Sequence, residues 1–309
     1  MVAQVGGRLP AGTRATTGSD PLRAARLATT AIREGWVSAR KLLAQYGLKP
    51  QKSLGQNFLT DKSVLSKIVA AAQLKPDDEV LEVGPGLGHL TRLLVQQAKR
   101  VVAVELDAWL IPVLQDQLAG LGNVELIQGD ILEQPLDAFL LPPDYKVVAN
   151  LPFYITSAVL EYFLSGESPP ARMVVTVQHE VAQRIVARPG TMSLLAVSVQ
   201  LYGQPRVVAR VKAGAFYPRP EVDAAVVCID RHSTPPASVQ DSATFFAVVK
   251  AGFAQRRKQL RNSLTAGLNR SQAEVVAGLE AAGVDPRRRP ETLSLPEWAA
   301  IANRLNNAN

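Results

Sequence analysis

The sequence predicts an α/β protein: a mostly parallel sheet covered by helices on both faces, followed by a smaller all-helical C-terminal domain. Three observations carry that prediction. Short, mostly apolar runs lie at 80–83, 101–104, 124–128, 146–149 and 173–178, separated by stretches of helical periodicity. Strands apolar along their length, rather than at every second position, belong to parallel sheets buried on both faces. The first run leads directly into Gly84-Pro-Gly86-Leu-Gly88, a tight strand-to-helix connection. Finally, Ser-Thr-Pro-Pro-Ala-Ser after His232 breaks the pattern, and from Thr244 onward only helical periodicity follows.

Residues 1–27 are rich in Gly, Pro, Thr and Arg and read as a mobile extension. A helix is expected over 28–46, with Ile32, Trp36, Leu42 and Leu43 as its apolar positions and Gly47 as its stop. A polar loop over 49–59 precedes Asp61, which is placed to cap a helix reaching about Gln73. After the 80–83 strand, a helix starts near His89 and uses Leu90, Leu93, Leu94 and Val95. The 101–104 strand is followed by a helix through Trp109 and Leu118. The 124–128 strand ends at Gly129-Asp130, the 146–149 strand at Asn150-Leu-Pro-Phe153, and the 173–178 strand runs into a helix from Glu180 to about Arg188. Two further β-like runs, 204–212 and 224–230, predict a hairpin pair added to the sheet edge. The expected division is therefore an extension (1–27), an α/β domain (28–234) and a helical domain (235–309).

The chain has 309 residues, with 34 Lys+Arg against 27 Asp+Glu, a net charge of +7. Residues 1–58 hold nine Lys/Arg against only Asp20 and Glu34, so the remainder is balanced. A basic arm points to a polyanion, either nucleic acid or an anionic membrane surface. No apolar run reaches the roughly 18 residues of a spanning helix, and the first 30 residues lack the apolar core of a secretory signal. Their Arg and Thr fit an organelle transit peptide and a bacterial extension equally. A single cysteine, Cys228, forms no internal disulfide and points to a reducing, cytoplasmic setting. His89, His179 and His232 are isolated, so no metal site is expected.

Chemistry concentrates at the strand ends, where ligands bind in open α/β sheets. The glycine turn lets a ligand approach the backbone, but its spacing departs from the dinucleotide fingerprint G-x-G-x-x-G. Glu105 ends the second strand and suits ribose hydroxyls. Asp130 closes the third and can accept from an adenine amine. Asn150 closes the fourth, where its side-chain oxygen and a backbone carbonyl can accept both hydrogens of an aromatic amine. Pro152 stiffens that turn and Phe153 offers a stacking face.

In order along the chain, these motifs resemble the ribosomal RNA adenine dimethyltransferase family. The resemblance runs from about residue 42 to 302. Its other motifs are Lys52-Ser-Leu-Gly-Gln-Asn-Phe-Leu59, Gln178-His-Glu-Val181, Ala215-Phe-Tyr-Pro-Arg-Pro220, Val222-Asp-Ala-Ala-Val226 and the stretch over 253–264. It implies a Rossmann-like S-adenosylmethionine-dependent methyltransferase sheet with a helical RNA-contacting domain. The implied activity is dimethylation of the N6 amine of two adjacent adenines near the 3′ end of small-subunit (16S) rRNA, during ribosome biogenesis. S-adenosyl-L-methionine is the implied cofactor. The implied partner is rRNA within a partly assembled 30S particle, met by a cytoplasmic monomer without a membrane.

Carried over by motif, Gln56, Asn57 and Leu59 would close over the methionine end of the cofactor, with Gly84 and Gly86 lining it. Glu105 would hold its ribose, Asp130 its adenine, and Asn150 would border it. The catalytic turn would be Asn150, Leu151, Pro152 and Phe153: Asn150 and the Leu151 carbonyl bind the target amine, while Phe153 and Phe216 sandwich the base. Arg256, Arg257 and Lys258, opening the helical domain, would meet RNA phosphates. Two departures stand out. The family's usual turn is Asn-Leu-Pro-Tyr, so Phe153 lacks a hydroxyl, and the usual Lys-x-Tyr-Gly is missing near 191–194. Two alternatives of the same ancestry remain: an Erm-type large-subunit rRNA methyltransferase and a mitochondrial transcription factor. The former usually has Ile where Leu151 stands and lacks the Arg-Arg-Lys segment.

Overall fold

The computed structural model describes residues 37–255 and 257–306. The 1–27 extension, the first part of the helix expected over 28–46 and Arg256 lie outside the described residues. The rest of that helix is α1 (Ala39–Gln45), whose N-cap Ser38 accepts from the Lys41 amide. A short 3-10 turn, Lys52–Leu54, leads to β1 (Phe58–Leu59). Asp61 then caps α2 (Lys62–Ala72), accepting from the Val64 amide at 3.0 Å.

The alternating core follows. It contains β2 (Glu79–Val83), α3 (Thr91–Leu94), β3 (Arg100–Glu105), α4 (Ile111–Gln117), β4 (Val124–Gln128) and β5 (Lys146–Asn150). Next come α5 (Thr156–Ser165), β6 (Arg172–Gln178), α6 (His179–Ile185) and α7 (Leu194–Tyr202). The α/β part ends with β7 (Gly203–Val211), β8 (Phe216–Tyr217) and β9 (Ala224–Arg231). The helix expected at Trp109 is split: Trp109 sits on a 3-10 turn, Ala108–Leu110, capped by Asp107, and α4 begins only after it.

Among the described residues, seven strands form one sheet in the order β4-β3-β2-β5-β6-β9-β7. The first five are parallel; β9 runs antiparallel to β6, and β7 antiparallel to β9. The expected edge pair is present, with the later strand on the inside. Successive strand residues point to opposite faces, and both faces are covered. Val80, Val101, Val148 and Val174 pack with α2 and α3. Leu81, Val102, Val147 and Val175 pack with α5 and α6. That double burial is why β2, β3, β5 and β6 are apolar along most of their length, while β4 at the edge keeps Glu125 and Gln128 exposed.

The C-terminal part comprises α8 (Ser242–Phe253), α9 (Leu260–Leu268), α10 (Gln272–Ala281) and α11 (Leu295–Asn306). Phe245, Leu264, Leu279, Trp298 and Ile301 form its core, which also takes in Ala196, Val197 and Leu201 of α7. The 253–264 stretch is no continuous helix. It spans the end of α8, an exposed turn carrying Arg257 and Lys258, and the start of α9, with Gln259 extended as the N-cap. A second basic run, Arg287-Arg288-Arg289, follows α10, and two of its members are paired within the chain: Arg287 with Asp285 at 3.1 Å, and Arg288 with Glu297. No helix among the described residues is long and apolar enough to cross a membrane.

Candidate active site

From β2 the chain adds β3 and β4 on one side, then returns to place β5 and β6 on the other. The β2/β5 boundary is thus the topological switch point, where diverging connections leave a crevice beyond the carboxyl ends of the strands. The register aligns those ends. Val83 lies between Ala149 and Val104, Glu105 opposite Gln128, and Asn150 opposite Thr176.

One cavity of about 140 Å³ opens there. Gln56, Asn57, Gly84, Gly86, Glu105, Asp130, Asn150, Leu151, Pro152, Phe153 and Phe216 all line it. Leu59 does not. In the two-stranded ribbon β1 pairs antiparallel with β8, Phe58 opposite Tyr217 and Leu59 opposite Phe216. Phe58 and Phe216 reach the cavity wall, while Leu59, 4% exposed, packs with Phe216 in the core beneath the ribbon. Arg257 and Lys258 are absent from the cavity lining.

The glycine turn is left-handed at Gly84 (φ 67°) and Gly86 (φ 61°), a conformation that side chains resist. A Cβ at Gly84 would meet no atom within 4 Å, so it would occupy space open to a ligand; at Gly86 it would lie 3.1 Å from the Phe58 ring. The Gly86 amide donates to Glu105 Oε2 and the Asp107 amide to Oε1, both at 2.9 Å. Each oxygen keeps a lone pair for a further donor. Burial pushes the Glu105 pKa up, and these amides pull the other way. Asp130 Oδ1 accepts from the Leu132 amide at 2.9 Å, which fixes the carboxylate at the wall.

The loop before β1 closes the other side. Gln56 is tied in place: its Oε1 accepts from the Gln51 amide at 2.8 Å, and its Nε2 donates to Asp107 Oδ2 at 2.6 Å. The Asn57 carbonyl accepts from Asn150 Nδ2 at 3.0 Å. That bond fixes the Asn150 amide, and its Oδ1 is left buried with no partner among the described residues. An unsatisfied buried acceptor costs about 1–3 kcal/mol, so this oxygen is a vacancy for a donor.

Sequence reading passed over several wall residues. Leu106 and Ile131 each follow a predicted carboxylate and supply apolar surface beside it; their adjacency to Glu105 and Asp130 was the available signal. Tyr154, next to Phe153, also lines the cavity, and its ring packs on Gly55, where a Cβ would come within 3.1 Å. Glu82, on β2 two residues before the glycine turn, lies beneath the cavity wall and outside its lining. It is 1% exposed, with Oε2 unpartnered among the described residues, and burial pushes its pKa up to about 8.

A family model described as "Ribosomal RNA adenine dimethylase" matches residues 47–307. A protein of Dehalococcoides mccartyi (strain CBDB1) called "Ribosomal RNA small subunit methyltransferase A" is 49% identical over 264 residues, covering 85% of this chain and 91% of its own. One of the same name from Geobacillus thermodenitrificans (strain NG80-2) is 44% identical over 276 residues, covering 86% and 94%. Among solved structures, the 23S rRNA methyltransferase ErmE is 28% identical with TM-score 0.64, covering 81% of this chain and all of its own. A dimethyladenosine transferase from Plasmodium falciparum, at 23% identity, TM-score 0.70 and coverage of 81% and 98%, shares the fold. Sheet order, a strand-end cavity and a family match spanning nearly every described residue converge: the chain belongs to the ribosomal RNA adenine dimethylase family.

Proposed function

We propose that this protein dimethylates the N6 amine of two adjacent adenines near the 3′ end of small-subunit rRNA, with S-adenosylmethionine as methyl donor. In this reading it acts as a cytoplasmic monomer on a partly assembled 30S particle. The observation that carries the proposal is Asn150, a residue of the cavity wall anchored through Nδ2, whose buried Oδ1 has no partner among the described residues. The residues fit the donor. Open space above Gly84, the doubly held Glu105 carboxylate and the flanking apolar Leu106 and Ile131 match an amino-acid tail, a ribose and a purine. At about 140 Å³ the cavity is below the usual 300–1,000 Å³ of small-molecule sites.

Bound there, S-adenosylmethionine would supply an electrophilic sulfonium methyl. The chain's own work is positioning. Adenine N6 is a poor nucleophile because its lone pair is delocalised into the ring. Asn150 Oδ1 and the Leu151 carbonyl, accepting its two hydrogens, would favour a pyramidal nitrogen with its lone pair directed at the methyl. Phe153 and Phe216 would stack on the base, offsetting the few kcal/mol of drawing it out of its helix. Orientation and pre-set dipoles account for the rate. The helical residues 235–309 would form the RNA-contacting domain, with Arg257 and Lys258 on phosphates.

Identity favours this reading over the large-subunit alternative: relatives called small-subunit methyltransferase reach 49%, against 28% for ErmE. The test incubates purified protein, methyl-labelled S-adenosylmethionine and 30S particles lacking the modification. Label in dimethyladenine of the small-subunit RNA is expected. Label only in large-subunit RNA, or none in dimethyladenine, overturns the proposal.

A further inference from the structure

Trp109 is 69% exposed and contributes to none of the apolar clusters, although its neighbour Leu110 is buried in one. Its backbone is fixed, since the Trp109 amide donates to Asp107 Oδ1 at 3.0 Å. Folding therefore fixes the backbone beneath the indole without burying the ring. Beside it lies a groove of about 360 Å³ whose walls include Lys49, Gln51, Gln56, Asp107 and Leu110. Gln56 and Leu110 also line the catalytic cavity, so the two spaces share a partition. That partition is braced: Gln51 and Gln56 both donate to Asp107 Oδ2, at 2.9 and 2.6 Å. With the Trp109 amide on its other oxygen, the Asp107 carboxylate is occupied by donors.

Lys49 lines the groove, is exposed and enters no ion pair among the described residues, while the Asp107 carboxylate is already met by donors. Of the residues assigned to the cofactor only Gln56 also lines this groove; Asn57, Gly84, Gly86, Glu105, Asp130 and Asn150 line the other cavity and not this one. An exposed indole face, a free ammonium and side-chain amides are the equipment with which single-stranded nucleic acid is held: bases stack on aromatics while cations meet the backbone.

We propose that the Trp109 groove holds an unpaired nucleotide of the RNA strand that enters the catalytic cavity, its base stacked on the indole and its phosphate on Lys49. The inference rests on the RNA-methylating reading above. Its test uses the full-length protein and a short, end-labelled oligoadenylate, followed by fluorescence anisotropy. Trp109→Ala is expected to weaken binding about tenfold, while Trp109→Phe, which keeps a stacking face, retains most of it. Lys49→Ala is expected to lower the slope of log affinity against log salt by about one. Calorimetry with S-adenosylmethionine should find the Trp109→Ala affinity unmoved. Oligoadenylate binding by Trp109→Ala equal to wild type overturns the inference, and so does a loss that falls on the cofactor instead. Because binding is read without methyl transfer, binding through Trp109 by a protein that leaves 30S RNA unmethylated would sink the functional reading alone.

Discussion

Asn150 divides its amide between two tasks: the nitrogen holds the Asn57 carbonyl, and the oxygen waits for a donor. Asn150→Ala removes the waiting acceptor, so turnover should fall on the order of 10²–10³-fold, as when one pre-set polar group is lost from a reaction centre. Affinity for S-adenosylmethionine, measured by calorimetry, should persist; its collapse along with turnover would show that the assigned role is wrong. Glu82 gives a second prediction at this scale. The buried carboxyl ionises near pH 8 in the folded chain, against about 4.3 when unfolded. Between those values the unfolded chain releases a proton that the folded chain keeps. Stability therefore falls as pH rises from about 4.3 to 8, on the order of a few kcal/mol, and levels off above. Glu82→Gln cannot ionise, so its melting temperature relative to wild type should rise between pH 5 and pH 8. A constant difference across that range would contradict the burial argument.

The β1–β8 ribbon marks the boundary of what could be read from the chain. The parallel strands were legible because double burial makes each run apolar, and their polar ends gave Glu105, Asp130 and Asn150 directly. A two-residue strand has no periodicity to read. The ribbon forms only by pairing with Phe216 and Tyr217, more than 150 residues away, and the motif alone named Leu59 where Phe58 lines the cavity. Helices α5 and α7 passed unread, and Arg257 and Lys258 proved to lie on a turn between helices. The ribbon also carries a test. Gly86→Ala combines a left-handed φ of 61° with a Cβ 3.1 Å from the Phe58 ring. The backbone part alone costs about 1–2 kcal/mol, so the midpoint of thermal unfolding should fall by several degrees. Adding Phe58→Leu should recover part of that fall by relieving the contact but not the backbone cost; no recovery would mean that Phe58 does not crowd the turn.

Across the whole molecule, the net charge of +7 identified the class of partner without locating the contact. Its surplus lies before residue 59, and Arg287 and Arg288 are consumed by internal ion pairs. Arg257 and Lys258 are exposed on the α8–α9 turn. Replacing both by alanine should lower the salt slope of binding to 30S particles by about two, with cofactor affinity unmoved; an unchanged slope would remove that turn from the RNA interface. The sheet order has a different consequence, one that concerns synthesis. Strand β7 touches the sheet only through β9, and β9 fills the place beside β6 with side chains that are almost all buried. A chain emerging from the ribosome thus keeps the apolar edge of β6 unpaired until residue 231 has cleared the exit tunnel. Open edges of this kind recruit other strands. Nascent chains stalled before β9 should therefore be the species that trigger factors and holdases bind, and release should coincide with docking of the β7–β9 hairpin as one unit.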